Sequence, residues 1–576
     1  MEFRKKYQDW LDSEYIDKET KEELLKIKDD AKEIEERFYT DLKFGTGGMR
    51  GIIGAGTNRI NKYTVGKATQ GLANFIKKKG KEACQKGVAI AYDSRNYSKE
   101  FATDTALVLN ANGIKTYLFD QLQPTPMLSF AVRELNTTAG IVITASHNPP
   151  EYNGYKVYWD DGGQVVPEFA ASIIEEIDHV DSYSQIQQIS KKEAVAQGLF
   201  NIIGKSIEDK YIGKVTNISL IKDKYQDQIK DLKIVYTPLH GTGNIPVRRA
   251  LEKKGFENVM VVAEQEKPDP QFSTVAYPNP EEKEAFKLAI ELAKKEDADL
   301  ILGTDPDADR IGIVEKNNQG DYSVLTGNQV GVLLSEYILS RLREDENLPM
   351  DGAIIKTIVT TDMVKEIADK YNIDVIETLT GFKFIGEKIK EFEKTGKHEF
   401  LLGFEESYGY LVGTYARDKD AVVAAALICE MAAYYKGKGL TLYQQLMNLM
   451  DEYGYYLEDL EAIRLEGVEG KEKIDKVIKD LRESRPKEIG NRKVTSVEDY
   501  LVGKKFDYET GQESELDLPK SNVLKFKFED KSGFTVRPSG TEPKIKFYLS
   551  VVGKDIADAT DLLESLKNEV LEYIDI

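Results

Sequence analysis

Short apolar runs recur along this chain, each ending in a polar loop and separated from the next by helical periodicity. VAIAYD at 88–93, KTYLFD at 115–120 and GIVITAS at 140–146 form one series. KIVYTP at 233–238, NVMVVA at 258–263 and ADLILGTD at 298–305 form a second. AIIKTIV at 353–359, DVIETLT at 374–380 and FLLGFEES at 400–407 form a third. Strands alternating with helices predict α/β units with mixed, largely parallel sheets. The three series predict three domains of similar design, at residues 1–205, 206–325 and 326–452. The texture then changes: strands dominate at 522–529, 533–537 and 545–552, and a helix runs over 555–573. That predicts a smaller C-terminal α+β domain over 453–576. Residues 1–40, with Leu24, Leu25 and Ile27 among charges, read as a helical arm, and the polar stretch 503–520 as a surface loop or edge hairpin.

Composition fits this picture and narrows the partners. The 576 residues are 41% hydrophobic and 31% charged, enough to bury several cores. A formal charge of −20 repels phosphate backbones and argues against nucleic acid as a partner. A phosphorylated ligand would need basic residues concentrated locally. The run AVVAAALICEM at 421–431 contains Glu430 and is too short to span a bilayer, so it predicts a buried helix and no membrane partner. Cys84 and Cys429 form no disulfide framework, and His147, His179, His240 and His398 are too dispersed for a zinc cluster. The expected compartment is a reducing cytoplasm.

The candidate chemistry lies in loops that follow apolar strands, where open α/β sheets bind ligands. In ITASHNPPEYNGYK, 143–156, Ser146 follows a buried strand and precedes two prolines that stiffen the loop. A stiff loop can hold a hydroxyl for phosphoryl transfer, or it is an ordinary strand-to-helix turn. A hydrolase triad fits poorly, because GxSxG is absent and adjacent Ser146 and His147 are expected to diverge. In LGTDPDADRIGI, 302–313, Asp305, Asp307 and Asp309 alternate, and in extended backbone their carboxylates would converge on one hard divalent cation. An EF-hand is excluded by Arg310 and Lys316 at its glycine and glutamate positions. Glu405 and Ser407 in LLGFEESYGYL, 401–411, could bind sugar hydroxyls, and GFKFIGEK at 381–388 could cap a helix or shape a pocket. In FTVRPSGTEPKIKFYLS, 534–550, Arg537, Ser539, Gly540 and Thr541 could cradle a phosphate or form a plain hairpin turn. KFGTGGMRGIIG at 43–54 adds Arg50 in a glycine-rich loop, and RDKDA at 417–421 adds Lys419.

Together these loops resemble the α-D-phosphohexomutase superfamily, in its phosphoglucomutase and phosphomannomutase branch. FGTGGMRG, TASHNP, DPDADR, GFEES and RPSGTEP occur in the family's order across essentially the whole chain. The resemblance implies four domains around one central cleft and a phosphoserine at Ser146. It implies Mg²⁺ on Asp305, Asp307 and Asp309, with the Ser146 phosphate completing the sphere. Glu405, Ser407 and Gly381 would contact the sugar. Arg537, Ser539, Gly540 and Thr541 would hold the phosphate that is not reacting. Arg50, His147, Lys156, Arg310 and Lys419 would surround the transferring group, with His147 or Lys419 moving the proton.

The implied reaction interconverts hexose 1- and 6-phosphates, glucose first, through glucose 1,6-bisphosphate as intermediate and activator. Mannose or pentose phosphates are alternatives within the superfamily. A sugar-phosphate phosphatase, or a sensor without catalysis, is the alternative in kind. Nothing in the sequence selects between a monomer and a dimer.

Overall fold

The computed structural model describes residues 2–465, 467–539 and 544–574. The chain divides into two compact units, Met1–Val330 with Phe382–Thr441, and Gly331–Gly381 with Leu442–Ile576.

The first unit opens with helices Glu2–Asp12, Lys18–Lys26 and Ala31–Phe38. They are the helical arm the sequence predicts, and it is packed down. Trp10 meets Phe38 and Tyr63 edge-on at 5.6 and 5.4 Å, and with Tyr7, Leu24 and Ile34 they form a satellite core. Next comes a six-stranded sheet. Its strands are β1 (Gly48–Ile52), β2 (Val88–Tyr92), β3 (Thr116–Phe119), β4 (Ala139–Ile143), β5 (Tyr152–Trp159) and β6 (Phe200–Ile203), in the order β1-β5-β4-β2-β3-β6. β2 and β4 are buried at every position and pair in parallel, as strands covered on both faces do. β5 runs antiparallel between β4 and β1. It fits there because residue 154 is glycine: a Cβ would stand 2.4 Å from the Thr144 carbonyl oxygen and 2.9 Å from that of Met49.

The second sheet comprises β7 (Ile234–Thr237), β8 (Val259–Val261), β9 (Leu300–Thr304), β10 (Ile311–Lys316) and β11 (Tyr322–Leu325), in the order β11-β10-β9-β7-β8. Its core packs Val235, Ile301 and Val314 against Phe286 and Ala289. The third domain's chain contributes to both units. β12 (Gly352–Thr357) and β13 (Asp374–Thr378) pair in parallel in the second, and β14 (Glu399–Glu405) and β15 (Gly409–Leu411) form an antiparallel hairpin in the first. Helix Ala421–Lys436 is buried along nearly its whole length, its N-terminus capped by Asp420 on the Val422 and Val423 amides. Among the described residues no helix is long and apolar enough to cross a membrane.

The C-terminal domain lies within the second unit. β16 (Tyr455–Arg464), β17 (Glu488–Ile489), β18 (Arg492–Asp499), β19 (Lys504–Asp507), β20 (Glu513–Glu515), β21 (Leu524–Phe528), β22 (Gly533–Pro538) and β23 (Lys544–Gly553) form its sheet, ordered β16-β23-β22-β21-β18-β19-β20, with β17 beside β18. Leu524, Phe526, Phe534 and Val536 face helices Gly467–Ser484 and Ile556–Ile574, and Phe526 stacks on Phe534 at 4.7 Å. The polar stretch 503–520 contains the antiparallel edge pair β19–β20. Parallel and antiparallel pairs thus occur in each of the first three domains, as the sequence pattern predicts, while the described pairs of the C-terminal α+β domain are all antiparallel.

Candidate active site

Four loops of the first unit meet at one buried cluster. The first follows β4. Ser146 adopts a left-handed φ of +53°, its amide donates to Thr144 Oγ1 at 2.8 Å, and its side chain is almost fully buried. Its hydroxyl donates to Asp305 Oδ2 at 2.8 Å and lies 3.2 Å from His147 Nδ1. The expected divergence of these adjacent side chains fails because Ser146 leaves the extended region, which swings both toward one point.

The second loop joins β9 to β10 and carries the aspartates. Their convergence comes from a tight turn and not from strand alternation: Ala308 has φ +49°, and Asp305 Oδ1 accepts from the Asp309 and Arg310 amides at 3.1 and 3.0 Å. Asp305, Asp307 and Asp309 are buried and offer oxygens within 4.8 Å of one another. Asp307 Oδ1 and Asp309 Oδ1 have no hydrogen-bond partner among the described residues. Buried, orphaned carboxylate oxygens fit a hard divalent cation, so the triad can hold a metal ion.

Cations surround the triad. Lys156, on β5, donates to Asp307 Oδ2 at 2.8 Å and lies 3.5 Å from Asp309. Lys419 Nζ is 3.2 Å from Asp309 Oδ2 and 3.3 Å from Asp418 Oδ1. Its stem lies across the β14–β15 hairpin, where only glycine at 409 leaves room: a Cβ there would be 2.0 Å from Lys419 Cδ. Arg310 pairs with Glu281. Arg50, on β1 opposite Gly154, donates to Asn148 Oδ1 at 2.7 Å in the serine loop. Glu405 ends β14, buried, and Ser407 sits in the turn that follows.

Burial and charge set the ionisation. Burial pushes Asp305 well above the usual carboxylate range, and neighbouring Asp307 and Asp309 add to it. Burial opposes ionisation of Asp307 too, but Lys156 and the Thr125 hydroxyl hold it well below that range. Burial disfavours charge on Lys419 and Arg310, yet the surrounding carboxylates raise both, so both stay cationic. Burial lowers the His147 imidazole well below its usual value, and Arg310 and Arg50 lower it further.

The second unit holds the remaining candidates. Arg537, one residue before the end of β22, donates to Thr380 Oγ1, next to Gly381 with φ +115°, and the Ser539 amide just beyond the strand donates to the Lys544 carbonyl at 2.7 Å. Gly540 and Thr541 lie outside the described residues.

Several contributors escaped the sequence reading. Thr125 donates its amide to the Asp307 carbonyl and its hydroxyl to Asp307 Oδ2, both at 2.9 Å. Tyr158 donates to Asp418 Oδ2 at 2.6 Å, so β5 braces the residue beside Lys419. Glu281 orients Arg310, and Arg95 reaches the back of the serine loop. Asp93 and Arg95 sit just beyond β2, at the strand end where the other functional loops begin, and that position was the available signal.

Comparison with known proteins agrees with this layout. Residues 41–184, 209–320 and 326–453 match the phosphoglucomutase/phosphomannomutase alpha/beta/alpha domains I, II and III, and 463–564 match the C-terminal domain. A phosphoglucomutase of Staphylococcus haemolyticus is 40% identical over 541 residues, 94% of each chain. One of Staphylococcus aureus is 39% identical over 560 residues, 96% of this chain and 98% of that one. The open form of parafusin, a phosphoglucomutase from Paramecium, superposes with a TM-score of 0.68 at 18% identity, covering 93% of this chain and 95% of that one. A phosphoglucomutase/phosphomannomutase family protein from Burkholderia thailandensis gives 0.65 at 18%, covering 92% and 97%. The two structures share the fold; the sequence matches, running in order through all four domains, establish that this chain belongs to the phosphoglucomutase/phosphomannomutase family.

Proposed function

We propose that the protein is a phosphoglucomutase that interconverts glucose 1-phosphate and glucose 6-phosphate through a phosphoserine at Ser146. The observation that carries this reading is the hydrogen bond from Ser146 Oγ to Asp305, at the mouth of a buried carboxylate triad ringed by Lys156, Lys419 and Arg310. Its glucose preference rests on the phosphoglucomutase relatives at about 40% identity.

In the first half-reaction the free sugar hydroxyl attacks the phosphorus on Ser146. The seryl O–P bond breaks, glucose 1,6-bisphosphate forms, and Ser146 Oγ takes up a proton. The bisphosphate then turns round, Ser146 Oγ attacks its other phosphate, and the sugar O–P bond breaks. The departing sugar oxygen takes up the proton that Oγ loses, which regenerates the phosphoserine and releases the isomerised monophosphate. His147 Nδ1, 3.2 Å from Oγ, is within reach of the proton this oxygen gains and loses. Lys156, Arg310 and Lys419 supply positive charge where the moving phosphoryl develops negative charge. Asp305, Asp307 and Asp309 would hold Mg²⁺, which when bound neutralises phosphoryl oxygens. Glu405 and Ser407 would grip sugar hydroxyls, with Gly381 shaping the sugar contact. Arg537 and Ser539, with Gly540 and Thr541, would take the phosphate at rest. The free thiols of Cys84 and Cys429 suit a reducing cytoplasm.

A coupled assay with glucose 1-phosphate, mannose 1-phosphate and ribose 1-phosphate, each with its bisphosphate, tests the reading. Glucose 1-phosphate should turn over fastest. Comparable rates on all three would remove the glucose preference, and phosphate release without isomerisation would replace the mutase by a phosphatase.

A further inference from the structure

We infer that Arg95 is a positioning residue for the phosphoryl site: one buried guanidinium, boxed in by Asp93 and Phe272, holds the Ser146 loop in the conformation that aims its hydroxyl at Asp305. The inference rests on reading Ser146 as the phosphoryl carrier.

The loop after β4 is held only in part from within, by the Ser146 amide on Thr144 Oγ1 and by two backbone hydrogen bonds. Pro149 and Pro150 carry no amide hydrogen. Within the loop the Asn148 amide donates to the Ala145 carbonyl at 3.1 Å and the Tyr152 amide to the Pro149 carbonyl at 3.1 Å. Ser146 meanwhile sits in the left-handed region, which non-glycine residues occupy only where their surroundings impose it. Arg95 imposes it. Its Nη2 donates to the carbonyls of Ser146 and Asn148, and its Nη1 to those of Pro149 and Tyr152, the latter two at 2.7 and 3.1 Å.

Arginine's donor inventory fits this task. A guanidinium has five N–H groups in a fixed plane. Four are assigned to the four carbonyls, and Nε faces Asp93 Oδ2 at 3.3 Å. Asp93 is fixed in turn, accepting from the Arg95 amide at 2.9 Å and from Ser98 Oγ at 2.7 Å. The Phe272 ring covers the guanidinium face at 4.9 Å. Phe272 is fully buried at φ +47°, and it lies on the same loop as Glu281, the partner of Arg310. That loop therefore backs the serine from behind and orients an arginine in front. A lysine, with three donors on a point charge, cannot reproduce the planar grip.

The test compares wild type with Arg95→Lys, after circular dichroism shows the variant folded. Hydrogen exchange over residues 144–153 is measured without ligand, and kcat and KM are measured on glucose 1-phosphate. Exchange over this loop should rise. Misplacing the hydroxyl by about 1 Å should lower kcat about 10²-fold with KM little changed, because no sugar-binding group is altered. Added guanidinium ion should restore part of the kcat of Arg95→Ala and none of that of Ser146→Ala. A folded Arg95→Lys with wild-type kcat or wild-type loop exchange overturns the inference. If Arg95→Lys does not fold, Phe272→Leu gives the same reading: faster exchange with lower kcat supports it, and unchanged exchange overturns it. The exchange measurement needs no substrate, so a wild-type protein without mutase activity would sink the carrier reading and leave the positioning result to stand or fall separately.

Discussion

Ser146 Oγ donates to Asp305 Oδ2 at 2.8 Å across 159 positions of sequence, tying the serine loop of the first domain to the aspartate loop of the second. Replacing the hydroxyl separates its two roles. Ser146→Ala and Ser146→Gly should both lose mutase turnover and phosphorylation by glucose 1,6-bisphosphate. They should differ in stability. The left-handed backbone costs a residue with a Cβ about 1–2 kcal/mol, offset in part by the greater chain entropy of unfolded glycine. Ser146→Gly should therefore be the more stable of the two by about 1 kcal/mol, read by denaturant titration. A more stable alanine variant would contradict the strained geometry.

The aspartate triad predicts linkage between divalent cation and stability. Mg²⁺ at about a hundred times its Kd should stabilise the first unit by about 2.7 kcal/mol. Asp307→Asn and Asp309→Asn should lose most of that gain, because each removes an anionic oxygen from the cluster. Chelation should abolish turnover of the wild type. Equal stabilisation of wild type and both variants by Mg²⁺ would place the cation elsewhere.

Gly154 predicts a packing failure that reaches the chemistry. An alanine Cβ would collide with carbonyl oxygens on both sides of β5, and neither backbone can yield cheaply. Gly154→Ala should cost about 3 kcal/mol, the upper part of the overpacking range. Activity should fall beyond what the unfolded fraction explains, since β5 also carries Lys156 and Tyr158. A variant as stable as wild type would mean that β1 and β5 sit further apart.

In the second unit, fully buried Lys356 lies 2.8 Å from Asp362 Oδ1 and 3.0 Å from Glu377 Oε1, with Lys365 3.1 Å and Lys525 3.7 Å from Glu377. Burial opposes the Glu377 charge, but Lys356, Lys525 and Lys365 hold its pKa well below the ordinary range. A depressed folded-state pKa gives stability that is present above the unfolded value and lost as pH falls through the folded one. The loss should begin near pH ~4.3 and continue downward. Glu377→Gln should cost about 3 kcal/mol at neutral pH, because it removes one partner of a buried cation. It should also flatten the acid limb, leaving the part due to Asp362, whose carboxyl is likewise held low, against burial, by Lys356, Lys525 and Lys365. Parallel acid limbs in thermal unfolding would assign the acid lability to other groups.

The sequence carried the reacting groups more openly than the groups that hold them. Ser146, Asp305, Asp307 and Asp309 lie in short motifs at strand ends, where a hydroxyl or carboxylate beside a buried strand stands out. β5 was read largely as loop because YNGYKVYW has Asn153 and Gly154 near its start and carries Lys156 mid-strand. Asn153 donates to the Asn96 carbonyl and Ser98 Oγ, and Lys156 faces the carboxylates. β16 was missed for a related reason: LEDLEAIR lies on an edge strand with much of its length exposed, so the alternation that marks a half-buried strand is weak. Only its place beyond β2 pointed to Arg95, because its partners are backbone carbonyls 51 to 57 positions away, and carbonyls leave no trace in residue identity. The close approach of Ser146 and His147 depends on one φ angle that the residue type disfavours.

Arg537 tests whether one phosphate site serves both ends of the sugar. A mutase whose intermediate turns round needs a group that grips the 6-phosphate in one half-reaction and the 1-phosphate in the other. Arg537 suits this because its guanidinium is already steadied by Thr380 Oγ1 and still has N–H groups for a phosphate. Steady-state rates cannot decide the matter, since kcat/KM in the two directions is tied by the reaction's equilibrium constant. Equilibrium binding to Ser146→Ala can, because that variant binds without turning over. In that background Arg537→Ala should weaken glucose 1-phosphate and glucose 6-phosphate alike. A charged hydrogen-bonding partner is worth about 1.5–3 kcal/mol, which is about 10- to 100-fold in Kd. Arg537→Lys should recover only part of it, keeping the charge and losing the fork. Calorimetric titration with each sugar phosphate reads the result. Loss confined to one of them would mean two dedicated phosphate sites, and the turning intermediate would then have to be held in place by other residues.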